Sequence, residues 1–226
     1  MRKKAVIVGL TVALLSSASY ALDPIGPTKA LLGQKHWSLG LEGAYAQSRT
    51  ELDDFDTSSQ LREDKAYVNL RYGVFEDIDV FGRLGLAAFE DDLFQDGDAD
   101  LAFGFGAAAT LRDKDKIDWG VLAQLSRGES SSVGMDSEVE AWSFQFAGGP
   151  TYQVREDMAV YGGLFFYMLD GELEVGPFDT DIEEEDPFGL FAGLDMTVKE
   201  DIRWTVEFQW AGDTLAVTTG LYWTIK

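Results

Sequence analysis

The sequence predicts an all-β protein, a closed antiparallel up-and-down transmembrane β-barrel of about 10 strands. Three observations predict it. Segments along the chain alternate large apolar and small or polar side chains with the period of two that belongs to strands. All six tryptophans, Trp37, Trp119, Trp142, Trp204, Trp210 and Trp223, fall on the apolar parity near segment ends, where a lipid-facing ring reaches the headgroup layer. The connections alternate between tight turns and long stretches.

The segments follow in order. Trp37, Leu39, Leu41, Gly43 and Tyr45 oppose Ser38, Gly40, Glu42, Ala44 and Ala46. Ala66, Val68, Leu70, Tyr72 and Val74 oppose Tyr67, Asn69, Arg71 and Gly73, and Val80, Gly82, Leu84, Leu86 and Ala88 oppose Phe81, Arg83, Gly85 and Ala87. In the fourth, Leu101, Phe103, Phe105, Ala107, Ala109 and Leu111 alternate with Gly104, Gly106 and other small residues. Trp119, Val121, Ala123 and Leu125 oppose Gly120, Leu122, Gln124 and Ser126, with Leu122 as the exception. Trp142, Phe144, Phe146 and Tyr152 oppose Ser143, Gln145, Ala147 and Gly149. The seventh segment, 158–169, is apolar on both faces and takes its parity from its neighbours. Phe188, Leu190, Ala192, Leu194 and Met196 alternate with Gly189, Phe191, Gly193 and Asp195, and Trp204, Val206, Phe208 and Trp210 with Arg203, Thr205, Glu207 and Gln209. Leu215, Val217, Thr219, Leu221, Trp223 and Ile225 form the outer parity of the last.

Tight turns fall near 75–79, 112–118, 155–157 and 199–201, and long stretches near 49–65, 90–100, 127–140 and 170–187, with one short exception at 211–213. Short turns on one rim and long loops on the other place both ends of the barrel in the periplasm. A soluble barrel with its apolar parity inward is the competing architecture. Tryptophans confined to strand ends, and glycine and alanine on the opposite parity, speak for a crowded interior and a lipid-facing outside.

Arg2, Lys3 and Lys4, an apolar run over 5–15 and Ser19-Tyr20-Ala21 read as a signal peptide over 1–21, cleaved after Ala21. Residues 22–226 then form the barrel domain, with 22–35 expected as a periplasmic N-terminal segment. Without the leader, 15 basic side chains stand against 40 acidic ones, a balance that repels nucleic acid. With no cysteine there is no disulfide framework, thiolate nucleophile or lipid-attachment site. A content of 46% hydrophobic and 13% aromatic residues excludes a disordered acidic chain.

The chain at this point resembles the small outer-membrane β-barrel proteins of Gram-negative bacteria, the broad superfamily of OmpA-type and Opa-like barrels. The likeness covers 22–226 at the level of pattern. The final Thr219-Gly220-Leu221-Tyr222-Trp223-Thr224-Ile225 looks like the assembly signal of such barrels, which usually closes on an aromatic residue, whereas Lys226 departs from it. The resemblance implies residence in the bacterial outer membrane, with its lipid, its lipopolysaccharide and the barrel-assembly machinery as partners.

Parity assigns a polar network to the lumen: Glu42, Asn69, Arg71, Arg83, Gln124, Gln145, Asp195, Arg203, Glu207 and Gln209. Charges removed from bulk water require partners, so crossed salt bridges are expected among them. The membrane-interface aromatics are Trp37, Tyr45, Tyr72, Trp119, Trp142, Tyr152, Trp204, Trp210 and Trp223. The four long stretches hold 25 of the 40 carboxylates, which places most of the negative charge outside the cell. Asp96, Asp98 and Asp100 are candidate low-affinity ligands for Ca²⁺ or Mg²⁺, although Leu101 stands where an EF-hand requires glycine; no other cofactor is expected. The single histidine, His36, lies at the periplasmic end of the first strand, whereas barrels that resemble omptin proteases or lipid A deacylases carry the reactive histidine at the outer rim. The expectation is therefore no enzyme, and a structural or surface-interaction role with an unidentified external ligand. The alternative is a narrow channel for small solutes that favours cations.

Overall fold

The computed structural model describes residues 22–52, 57–91, 95–96, 99–132, 137–175, 178–183 and 187–225. Alternation becomes strand wherever it occurs: β1 (Trp37–Leu52), β2 (Thr57–Phe75), β3 (Ile78–Asp91), β4 (Gln95–Asp96), β5 (Asp100–Lys114), β6 (Ile117–Ser132), β7 (Ser137–Arg155), β8 (Met158–Val175), β9 (Phe178–Glu183), β10 (Phe188–Lys199), β11 (Ile202–Ala211) and β12 (Thr214–Ile225). Ten of these form a closed antiparallel barrel. Each pairs with its sequence neighbour, β8 pairs with β10, and β12 pairs with β1 from Trp37↔Ile225 to Ser48↔Thr214, so the sheet has no free edge. The remaining two, β4 and β9, fold back on β3 and β8 as short additions at the outer rim.

The pleat sorts the side chains as the alternation requires. Leu84, Leu164 and Phe105 point away from the barrel and are at least half exposed, whereas Phe81, Leu122, Ala147 and Phe191 are buried inside. An exposed apolar belt of this extent, carried by each of the ten barrel strands, is a surface for hydrocarbon and not for water. The seventh segment follows its neighbours: Tyr161, Phe165, Tyr167 and Leu169 face inward while Val160, Leu164 and Met168 face outward.

Two expectations need correction. The stretches 49–65, 127–140 and 170–187 are largely strand and not loop, since β1 and β2 remain paired to Leu52↔Thr57, β6 and β7 to Ser132↔Ser137, and β7 and β8 to Ser137↔Val175. Crossing hydrocarbon takes about 9–11 residues, so nearly half of the 19 residues of β2 and of β7 stands beyond the membrane. A strand beyond the hydrocarbon has no need of one apolar face, so the backbone ladder continues there without an alternating sequence signal.

The second correction concerns residues 22–35, expected in the periplasm. Residues 22–32 lie inside the barrel, with Leu22, Asp23, Ile25, Thr28 and Leu32 all buried, and only 33–35 reach its rim, where Gln34 and Lys35 are exposed. The segment enters at the rim of the tight turns, the end expected to face the periplasm and called periplasmic for that reason, beside β2, where Lys35 takes the left-handed conformation (φ 68°) and its N–H donates to Gly73 O at 2.7 Å. Gly73 in turn donates to His36 O at 3.0 Å, which fixes the turn into β1. The wall holds the segment through side chains that parity had already pointed inward.

Candidate functional site

The barrel interior is a polar network built around this segment. Glu42 on β1 is its anchor on one side, paired with Arg83 on β3 (Nε to Oε2, 2.6 Å) and accepting hydrogen bonds from Asn69 Nδ2 (2.9 Å) and the Tyr222 hydroxyl (2.7 Å). From Arg83 the network runs along the opposite wall. Its Nη1 donates to Gln124 Oε1 at 2.8 Å, Gln124 Nε2 to Gln145 Oε1 at 2.5 Å, Gln145 Nε2 to Gln209 Oε1 at 3.3 Å, and Gln209 Nε2 to Glu207 Oε1 at 2.8 Å. Strands β1, β2, β3, β6, β7, β11 and β12 are thereby tied through their inner faces.

Residues 22–32 pass through the middle of this network and satisfy it with their backbone. Arg83 Nη2 donates to Pro24 O (2.7 Å) and Gln209 Nε2 to Asp23 O (2.8 Å). Glu207 accepts two consecutive amides, Ile25 N–H at 3.0 Å and Gly26 N–H at 2.9 Å. Gly26 has φ 68°, the left-handed conformation that turns successive N–H groups onto one anion. Asp79 does the same further down, its Oδ2 accepting Leu31 N–H (2.6 Å) and Leu32 N–H (3.2 Å). Thr110 and Gly149 accept from Ala30 N–H and the Thr28 hydroxyl, and Lys29 pairs with Asp118 at the periplasmic rim. A buried hydrogen bond to a charged group contributes about 1.5–3 kcal/mol, so the carboxylates Glu207 and Asp79 are the principal holds.

At its inner end the segment presents a charge of its own. The Asp23 carboxylate accepts from the Tyr67 hydroxyl (3.1 Å) and from Ser126, and pairs with Lys65 at 3.4 Å, which also faces Glu63 at 3.3 Å. Asp23, Glu63, Lys65 and Asp79 were not among the residues expected here. For Glu63 and Lys65 the signal existed: they continue the inward parity of Tyr67, Asn69 and Arg71 into what read as loop.

Of the ten residues expected in the lumen, Glu42, Asn69, Arg83, Gln124, Gln145, Glu207 and Gln209 share the network just described. Arg71 stands apart at the periplasmic end, 3.7 Å from Asp79, and Arg71 and Arg83 both lie over the Phe81 ring, at 4.9 and 4.8 Å from its centroid. Asp195 and Arg203 form a two-point ion pair at the same end, with Nε to Oδ1 at 3.2 Å. Glu207 departs from expectation: among the described residues no base pairs with it, and its oxygens instead accept the backbone amides of the inserted segment together with Gln209 and Thr218. Inward glycines make room for the aromatic side chains. A Cβ at Gly40 would lie 2.5 Å from the Tyr222 ring, one at Gly193 2.4 Å from Tyr161, and one at Gly189 2.2 Å from Phe165.

The interface aromatics all lie on the outer face. Trp37, Tyr72, Trp119, Tyr152, Trp204 and Trp223 encircle the periplasmic end, with Trp37 and Tyr72 in contact at 4.4 Å, and Tyr45, Trp142 and Trp210 stand toward the outer rim. Asp98 and the side chain of Asp96 lie outside the described residues, so the candidate metal ligands with Asp100 have no geometry; among the described residues no group of three acidic or histidine side chains could hold a metal ion. His36 sits against Gly33 in the turn into β1.

No known protein family matches the sequence, and no curated protein does. Solved structures do match. The translocator domain of the autotransporter NalP from Neisseria meningitidis aligns over 86% of this chain and 89% of its own at 12% identity, with a TM-score of 0.53. An outer-membrane channel from Pseudomonas putida F1 aligns over 90% and 100% at 11% identity, with a TM-score of 0.50. At such identities the likeness is one of fold. A closed ten-stranded antiparallel barrel with an apolar belt and aromatic girdles makes this chain a β-barrel of the bacterial outer-membrane type.

Proposed function

We propose that this protein is an integral outer-membrane barrel that is closed at rest and acts at its outer rim, presenting tall acidic hairpins to an external partner. One observation carries the reading: residues 22–32 and the side chains that grip them fill the lumen. A through-path is therefore not the resting state. The height of β1–β2 and β6–β8 above the membrane supports a role in surface contact, because strand beyond the hydrocarbon serves no anchoring purpose.

In this reading the leader is removed after Ala21, the apolar belt contacts lipid and the lipid portion of lipopolysaccharide, and the assembly machinery takes the barrel through its last strand. The protein is not an enzyme, and any Ca²⁺ or Mg²⁺ at Asp96, Asp98 and Asp100 is an accessory to the outer rim. The test is planar-bilayer recording of the full chain, purified from outer membranes in its heat-modifiable form. Silence in KCl is the expected result, and discrete conductance steps would overturn the reading. Turnover of lipid or peptide that disappears on substitution of the rim carboxylates would overturn the non-enzymatic assignment.

A further inference from the structure

We infer that residues 22–32 are a displaceable plug, and that the barrel behind it is a conduit for small hydrated cations, opened when the segment withdraws toward the periplasm. The inference rests on the reading of a barrel closed at rest and adds the means by which it opens.

Four observations carry it. The segment belongs to no ladder. The barrel closes through β1–β12 and β8–β10 without using any residue before Trp37, so the segment can leave and the cylinder remain. Its attachments are mostly polar: hydrogen bonds between its backbone and Glu207, Gln209, Arg83, Asp79 and Thr110, with side-chain ion pairs from Lys29 to Asp118 and from Asp23 to Lys65. Bonds of this kind exchange with water when a lumen hydrates, and the apolar hold that withdrawal must also break is confined to a few side chains, chiefly Leu22 and Ile25 in the buried cluster.

The wall also keeps its own charge compensation. Arg83 retains Glu42, Arg71 retains Asp79, Lys65 retains Glu63 and Arg203 retains Asp195 when the segment is absent. Among the described residues Glu207, which accepts the segment's amides, and Asp118, which loses Lys29, are left without a base, which makes the emptied lumen acidic and favours cations over anions.

The space vacated is sufficient. A polypeptide strand is about 5 Å across in one direction and about 10 Å in the other, enough on withdrawal for a hydrated monovalent ion. Toward the outer rim much of the inward lining is small, with Ala46, Ala87, Ala102, Ala141, Ala211 and Ala216 buried on six different strands beside the larger Tyr167 and Leu169 of β8. At the other end the segment lies flat on the wall: a Cβ at Gly120 would fall 2.6 Å from both Lys29 N and Thr28 O. Any larger side chain at 120 drives the segment off while leaving the β6 ladder intact.

Two variants test it, an internal deletion of residues 23–32 and Gly120→Leu, each produced in the full chain, purified from membranes and checked for heat-modifiable migration. In planar bilayers under a KCl gradient both are expected to show discrete steps, with time-averaged conductance at least tenfold above the parent and a reversal potential on the cation side. A folded deletion variant as silent as the parent overturns the inference. So does a deletion that yields no barrel while Gly120→Leu yields a silent one, since the segment is then a structural part of the wall. Conductance already present in the parent defeats the closed-barrel reading alone, and the ratio of variant to parent still decides the plug.

Discussion

Arg83 and Leu84 are neighbours on β3 and obey opposite rules. Leu84 is 59% exposed and faces the hydrocarbon, where nothing in the fold touches it specifically, whereas Arg83 is 6% exposed and holds Glu42, Gln124 and Pro24 O at once. On the outer face a side chain need only be apolar, and its contribution scales with depth in the bilayer. On the inner face it must match particular partners in distance and direction, and a lost partner leaves a buried group uncompensated. The same strand thus carries one face set by solvent and one set by geometry.

The largest effect expected from breaking this contrast is inside. Glu42→Ala removes the partner of Arg83 and the acceptor for Asn69 and Tyr222, at a cost of about 3–5 kcal/mol, read as a lowered urea midpoint in detergent or lipid. Glu42→Leu combined with Arg83→Met should cost less than either change alone, because an apolar pair leaves no stranded charge. Strict additivity in that cycle would mean that the two side chains do not communicate.

Outside, Leu84→Arg or Leu194→Arg should cost about 2–4 kcal/mol near mid-membrane and deplete the heat-modifiable band. Ser143→Arg, on the inner face beside Ser126, should be tolerated better; equal damage at both faces would erase the distinction. An intermediate effect is expected at Gly40, where any larger side chain must move the Tyr222 ring, so Gly40→Leu should cost about 1–3 kcal/mol and weaken the Tyr222 hydrogen bond to Glu42. The smallest effect is at the outer Trp204, whose indole N–H donates to Thr219 Oγ1 at 2.9 Å. Thr219→Ala should cost about 0.5–1.5 kcal/mol and shift the tryptophan emission without altering migration of the folded band.

The contrast also explains what was legible in the sequence. The membrane-spanning strands were, because hydrocarbon on one side and a packed lumen on the other impose a period of two that Leu84, Arg83 and their neighbours display residue by residue. Strand beyond the membrane was not, because a ladder that has left the hydrocarbon no longer requires one apolar face. The inserted segment was illegible for a different reason. The wall reads mainly its backbone, so Pro24, Ile25 and Gly26 carry no pattern, and because the inward acids Glu42, Asp195 and Glu207 are matched in number by Arg71, Arg83 and Arg203, Glu207 gave no sign of the amides it accepts. Asp79 was hidden at the edge of a tight turn, where parity is easily assigned to the connection instead of the strand.

The seam between β1 and β12 joins the two ends of the chain along twelve paired positions, from Trp37↔Ile225 to Ser48↔Thr214. Contacts so remote in sequence form late, so the cylinder stays an open trough until its last strand arrives. Residues 22–35 run directly into β1 and are already beside the trough when it shuts. The zipper that completes the wall can thus enclose the stopper in the same act, and no separate threading step is required.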